Sequence, residues 1–295
     1  VSAAFQGDDD DTGDDTGGTM AISTISETAR HRPRATVSVV IPVRDDRHHL
    51  QRCLDALSAQ THPPFEFIVV DNASSDDSAA VAARYGAVVL HESEVGIPAA
   101  SATGYDAARG EFIARVDADS VPGPTWIASV CELLERHPEL AAVTGGGTLM
   151  DDDGRPHLRS SRLYMRSYFT LVGLALGHPP LWGSSLAMRR TVWNEVRSEV
   201  CRHDARMHDD IDLSIHIGPQ RRIAVDRRLT LAASASPLAL DGALLVRFWR
   251  GLYTIVRHWP REFPLLRWLR RQQSERAGLT ASPTPQPLAP AGGAL

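Results

Sequence analysis

Apolar positions along this chain change period repeatedly after residue 35. Val37 to Val43 (VSVVIPV) is a nearly continuous β-branched run, the pattern of a strand buried on both faces. From Asp46 to Gln60 the apolar residues Leu50, Cys53, Leu54 and Leu57 recur at helical spacing. Phe65 to Val70 (FEFIVV) predicts a second strand, Ser75 to Arg84 a helix with Ser75 as its N-cap, and Ala87 to Leu90 a third strand. Pro98 to Arg109 predicts a helix stopped at Gly110. Glu111 to Val116 (EFIARV) predicts a fourth strand, Thr125 to Arg136 a further helix, and Leu140 to Met150 a largely extended stretch. Strand and helix alternating through short connections predict an α/β fold with a mostly parallel sheet flanked by helices. In such sheets ligands bind beyond the carboxyl ends of the strands. The residues at those ends are Arg44 and Asp45, Asp71 and Asn72, His91 to Gly96, and Asp117 and Asp119.

Composition changes this picture mainly at the two ends. The 295 residues are 43% hydrophobic and 23% charged, enough for one large domain with appendages. Residues 1–34 lack apolar periodicity and crowd aspartates between Asp8 and Asp15, so a disordered acidic tail is expected, with Met20 as a candidate start. Residues 278–295 carry Pro283, Pro285, Pro287 and Pro290 among small residues and read as a second tail. The formal net charge of −5 gives no sign of a nucleic-acid partner. Every basic residue is arginine, which GC-rich coding explains as well as function does. Cys53, Cys131 and Cys201 form no CxxC pair, so a reducing compartment is expected, with no zinc site or disulfide framework signalled by cysteine. Neither a signal peptide nor a membrane span is expected.

Asp117 and Asp119 flank Ala118 just past the fourth strand. In extended geometry both carboxylates lie on one side, and paired carboxylates suit a hard divalent cation that also meets phosphates. A strand-end turn is the bland alternative. Asp71 suits hydrogen bonding to a nucleoside, or equally an Asx-turn with Asn72, Ser74 and Ser75. His208 to Ser214 (HDDIDLS) places Asp209, Asp210 and Asp212 at a helix start, where the macrodipole favours acids and where a general base could also stand. Neither GxGxxG nor GxxxxGK[ST] follows the first strand, which disfavours a dinucleotide fold and a P-loop.

These pieces together, VSVVIPVRDD, FEFIVVDNASSDDS, GIPAASATGYDAARGEFIARVDADS and HDDIDLS, resemble family 2 glycosyltransferases in order and spacing from Val37 to Leu231. The resemblance implies a GT-A fold, a nucleotide-binding sheet with an appended acceptor-binding half, here residues 35–240. It implies inverting transfer of a sugar from a nucleotide-sugar donor to a hydroxyl acceptor. By the resemblance, Asp71 contacts the nucleoside base, Pro42 and Asp45 lie near the nucleotide, and Asp117 and Asp119 form the DxD that holds Mn2+ or Mg2+, Asp119 being the more direct ligand. Asp210 matches the catalytic base, and Asp209 stands where the family usually has Glu. Residues 183–190 (GSSLAMRR) match the segment beneath donor sugar and acceptor. Two features depart from the family: Ser101 and Ala102 replace the Arg and Asn of its Ala-Arg-Asn-x-Gly, and no His occurs in 230–236 as a further metal ligand. His208 or His203 could substitute, and Trp182, Arg189 and Arg190 could meet the diphosphate.

Residues 241–277 form a basic aromatic segment in which Arg247, Arg250, Arg257 and Arg267 interleave with Trp249, Tyr253, Trp259 and Trp268. Two helices split at Pro260 and Pro264 are expected, either lying on an anionic membrane surface or packed on the domain with arginine stems covering apolar surface. The membrane reading implies a lipid-linked or cell-envelope acceptor and a cytoplasmic protein at the inner face of the plasma membrane. A nucleotidyltransferase and a GT-A domain that binds without turnover are the competing functions.

Overall fold

The computed structural model describes residues 35–151, 153–218, 220–235, 243–259 and 263–276. Both expected tails lie outside these residues, as does the expected boundary at 240.

The first half alternates strand and helix as the periodicity predicts: β1 (Val37–Val43), α1 (Arg47–Ser58), β2 (Glu66–Asp71), α2 (Ser78–Arg84), β3 (Val88–His91), α3 (Ile97–Ala107) and β4 (Phe112–Arg115). Then follow β5 (Ser120–Val121), α4 (Trp126–Arg136), β6 (Leu140–Thr144), β7 (Gly147–Met150), α5 (Leu158–Leu176), β8 (Leu186–Arg189) and α6 (Arg190–Val196). The remainder holds α7 (Asp209–Ile217), β9 (Arg222–Val225), β10 (Leu231–Ser234), α8 (Ala243–Arg257) and α9 (Pro264–Arg276).

The main sheet has the order β3-β2-β1-β4-β8-β6-β9 and is parallel except for β8, which runs antiparallel to both neighbours. A small sheet orders β5-β10-β7 beside it. β1 is buried on both faces, which is why its sequence is an unbroken apolar run. Val39 and Ile41 face Leu50, Leu54 and Leu57 of α1, each of which gains about 1.5–3 kcal/mol by leaving water. Val40 faces the opposite layer, with Ala100 and Tyr105 of α3 and Trp193 of α6.

The stretch from Leu140 to Met150 is largely extended, as expected, and forms two strands in different sheets, separated at Gly145 and Gly146. A Cβ at Gly145 would sit 2.1 Å from the Leu229 carbonyl oxygen, and one at Gly147 would sit 2.3 Å from the Trp182 ring, so the crossing needs bare backbone. Ser75 is not a helix cap, since α2 starts three residues later behind Asp77; Ser75 turns to Asp45 instead.

Candidate active site

The carboxyl edge of the main sheet is assembled from loops that bond to one another. Asp45, with φ +51°, ends the loop after β1, a backbone that Asp tolerates better than most residues. Its carboxylate accepts the Ser75 amide (2.6 Å) and hydroxyl (2.9 Å), bonds that hold it below the usual carboxylate range. The Arg47 amide donates to Asp76 (3.0 Å) and the Asp46 amide to Ser78 (3.3 Å). Asp71, at the end of β2, is buried; it accepts the Ser74 amide at 3.0 Å and lies 3.4 Å from His91 Nδ1. Asp71 thus caps the backbone three residues on at Ser74, and its other oxygen faces His91. Pro42 is half-buried in β1 opposite Val70 of β2.

Asp117 and Asp119 are not on one face of an extended chain. The Ser120 amide donates to the Asp117 carbonyl at 3.0 Å and closes a turn through Ala118 and Asp119. The turn gives the two carboxylates different partners. Asp117 accepts Arg115 Nη2 at 2.8 Å on one oxygen and the Ser184 hydroxyl at 2.6 Å on the other. Asp119 makes only a long 3.5 Å contact with the Ser120 hydroxyl among the described residues. Burial, then Asp117 and Asp46, push its carboxyl up to about 6. A carboxylate crowded by like charge and left unpaired fits a divalent cation, whose charge would favour its ionised form. Asp119 lines a cavity of about 170 Å³ with His49, Arg52 and Asp151.

Arg115 is the residue that the motif reading missed. It is 2% exposed in the middle of the sheet, and its guanidinium bridges Asp117 and Asp209, the latter by a short contact to Oδ2. Ser101 donates to that same Asp209 oxygen at 2.9 Å. The cation beside these acids thus comes from β4, while position 101 of α3 contributes a hydroxyl where the family has Arg. The signal was present in FIARV, where Arg115 interrupts an apolar strand that must be buried on both faces.

Asp210 is the second residue of α7 and is 2% exposed. It accepts the Gly183 amide (2.8 Å) and the Tyr168 hydroxyl (3.3 Å), and its other oxygen meets His208 Nδ1 at close range. Burial alone would raise its carboxyl; His208, Arg115 and the Gly183 amide outweigh that and hold it below the usual range. The pair His208–Asp210 thereby keeps a carboxylate ionised out of water. The macrodipole reading and the functional one coexist, because the acids at the start of α7 are also the ones that meet Arg115, Gly183 and Tyr168.

Other expected contacts fall elsewhere. β8 is antiparallel, so Gly183 and Ser184 before it reach the site while Arg189 at its end pairs with Phe112 at the opposite edge. Arg189 donates to the carbonyls of Leu140 and Leu134, and Arg190 to that of Gly110, so neither meets a diphosphate at the carboxyl edge. Trp182 is 7% exposed and packs in the core against Gly147. His203 is exposed and paired with Glu94.

Residues 38–197 match the family model described as glycosyl transferase family 2. The glycosyltransferase AglE of Haloferax volcanii is 32% identical over 99 residues, 31% of this chain and 33% of that protein. The glucosyl-dolichyl phosphate glucuronosyltransferase of the same organism is 26% identical over 156 residues, 48% of each chain. The chain thus spans less than half the length of these curated relatives. Among solved structures, the mannosyltransferase PcManGT from Pyrobaculum calidifontis in complex with GDP-Man and Mn2+ matches with a TM-score of 0.59 at 19% identity, over 83% of this chain and 71% of that one. Glucosyl-3-phosphoglycerate synthase from Mycobacterium tuberculosis, in complex with Mn2+, UDP and glucosyl-3-phosphoglycerate, matches at 0.52 and 20% identity, over 73% and 80%. At these identities the likeness carries the fold, a GT-A sheet with its helices. The family match runs from β1 through α6 across more than half of the sequence, and the chain belongs to glycosyl transferase family 2.

Proposed function

We propose that this protein is a metal-dependent, inverting glycosyltransferase that moves a sugar from a nucleotide-sugar donor to a hydroxyl acceptor. The observation that carries the reading is the Arg115 bridge, which ties the Asp117 turn to the start of α7 and so joins a donor-side acid to the base-side acids. In this reading Asp71, Asp45 and Pro42 line the nucleotide end of the edge, and Asp119 holds the cation. Mn2+ or Mg2+ supplies positive charge to the departing diphosphate when bound. Asp210 takes the proton of the acceptor hydroxyl as that oxygen attacks the anomeric carbon from the opposite face. Gly183, Tyr168 and His208 fix the carboxylate for that transfer.

The acceptor in this reading is lipid-linked. A groove of about 260 Å³ between α5 and α8 is lined by Leu171, Val172, Phe248, Leu252 and Ile255, and includes Tyr168 and His208, the residues that contact Asp210. Its apolar walls suit a hydrocarbon chain whose head reaches the base. On α8 and α9 Leu245, Val246, Trp249, Leu265 and Leu269 are exposed, which suits a membrane surface. No described helix is long and apolar enough to cross a membrane. Arg250 and Arg267 support the packed alternative, since they donate to carbonyls of the domain.

A panel of nucleotide sugars with Mn2+ tests the activity. Asp119→Ala is expected to lose metal-dependent nucleotide binding, and Asp210→Asn to keep binding while losing turnover. Nucleotide binding indifferent to both Mn2+ and Asp119 would overturn the metal assignment, and turnover retained by Asp210→Asn would overturn the base. For the membrane, flotation with anionic liposomes should fall in a Leu245→Ser, Trp249→Ser double variant; equal flotation removes that part of the reading.

A further inference from the structure

α7 carries a second constellation that the transfer chemistry leaves unused. Asp212, 1% exposed, faces His216 one turn on and His258 just past α8. Asp212 Oδ1 lies 3.4 Å from His216 Nε2 and 3.1 Å from His258 Nε2, and the two ring nitrogens are 3.3 Å apart. A tetrahedral zinc with bonds of about 2.0–2.2 Å holds its ligand atoms about 3.3–3.6 Å from one another. The three separations, 3.1, 3.3 and 3.4 Å, come close to one face of such a tetrahedron.

The surroundings set these atoms up as lone-pair donors. His258 Nδ1 donates to the Thr254 carbonyl at 2.8 Å, so in the neutral ring Nε2 carries the lone pair and has no proton to offer Asp212. His216 Nδ1 faces Glu199 at 3.3 Å, the carboxylate–histidine arrangement that orients metal ligands. Asp212 Oδ2 is occupied by the Cys201 amide at 2.8 Å, while the buried Oδ1 meets the two imidazole nitrogens. A buried carboxylate oxygen aimed between two imidazole nitrogens, one of them fixed as a lone-pair donor by its Nδ1 bond, offers three ligand atoms to a cation at their centre. His216 and His258 also line a cleft of about 1050 Å³ with Cys201 and His203, which includes neither Asp117, Asp119 nor Asp210.

We propose that Asp212, His216 and His258 bind one Zn2+, and that this ion clasps the end of α8 to α7, separately from any cation at Asp119. Mixed nitrogen and carboxylate ligands at these spacings suit zinc rather than an all-oxygen Mg2+ site. The clasp bears on catalysis through position alone, because α8 also holds the segment leading into α7: Thr254 accepts the His208 amide at 2.8 Å, and Arg250 donates to the Met207 carbonyl at 2.9 Å.

The test is zinc titration of EDTA-stripped full-length protein against a chromophoric chelator, with thermal midpoints recorded in zinc and in EDTA. Wild type and Asp119→Ala should each bind about one equivalent of Zn2+ tightly and melt higher in zinc. His216→Ala and His258→Ala should lose at least about 100-fold in affinity, and Glu199→Ala about tenfold. Matching EDTA midpoints across the variants show that the fold persists; should a His→Ala variant melt early, Co2+ substitution of the wild type replaces that arm, and tetrahedral visible bands support the site. Zinc binding unchanged in His216→Ala and His258→Ala, binding abolished by Asp119→Ala, or a wild type that neither binds zinc nor gives Co2+ bands overturns it. A failure here leaves the glycosyltransferase reading untouched, because that reading is scored on nucleotide binding with Mn2+.

Discussion

Asp119 is a carboxylate held where ionisation is unfavourable. Its folded form keeps a proton up to about pH 6, while an unfolded Asp releases it near pH 4. Between those values the folded state binds more protons, so metal-free stability falls as pH rises through the window and the penalty is fully present at pH 7. Asp119→Asn should therefore raise the metal-free melting temperature at pH 7 while abolishing the Mn2+-induced shift. A lower midpoint would show that the site is not strained by charge. The same proton competes with the cation, so Mn2+ affinity should drop by about tenfold per unit below pH 6. Titrations at pH 5 and 7 that agree would sink this. Arg115 is the opposite case, a buried cation shared by Asp117 and Asp209. Arg115→Met leaves those acids facing each other unpaired and should cost about 3–5 kcal/mol in urea unfolding. Arg115→Lys should recover only part of this, because an ammonium cannot span both carboxylates as a guanidinium does.

At the scale of elements, α3 and α9 show how packing disposes of sequence features that look like chemistry. The run of small residues in α3 lets it lie close on the sheet: a Cβ at Gly104 would sit 2.3 Å from Val40 Cγ1. Gly104→Val should overpack this contact and destabilise by about 1–3 kcal/mol, read by thermal melting. On α9, Arg267 is 1% exposed and donates to the Leu176 carbonyl at 2.7 Å and to His178 Nε2 at 2.8 Å. Burial and the Arg267 charge drive His178 down to about 4, so its ring is neutral and accepts that bond across the physiological range. Arg267→Ala should release α9 from the ends of α5 and α7. Hydrogen exchange across residues 264–276 is the readout, and unchanged protection there would mean that contacts other than those of Arg267 hold the helix. The arginine-rich composition of this segment thus divides between packing and surface, a division that helical periodicity cannot make.

At the scale of the whole molecule, the site is an edge built from residues spread from Asp45 to Asp210, more than half of the sequence apart. The strand and helix periods, the parallel sheet and the strand ends that carry Asp45, Asp71, Asp117 and Asp119 were legible from the chain alone. They are set by local apolar spacing and by the rule that a parallel sheet presents its carboxyl ends together. What the sequence could not decide is which neighbour each acid meets. Asp117 and Asp119 are alike in the sequence, yet a turn gives one to Arg115 and Ser184 and leaves the other crowded by like charge. Arg189 lies at the far edge because β8 alone runs antiparallel, and strand direction in a sheet is a long-range property. The Asp212, His216 and His258 cluster joins α7 to a residue 42 positions beyond His216, past a helix whose docking is settled by tertiary contacts. Local spacing determined the elements and the acids at their ends; only the packing of distant segments decided which of those acids are paired, which are buried, and which are left for a cation.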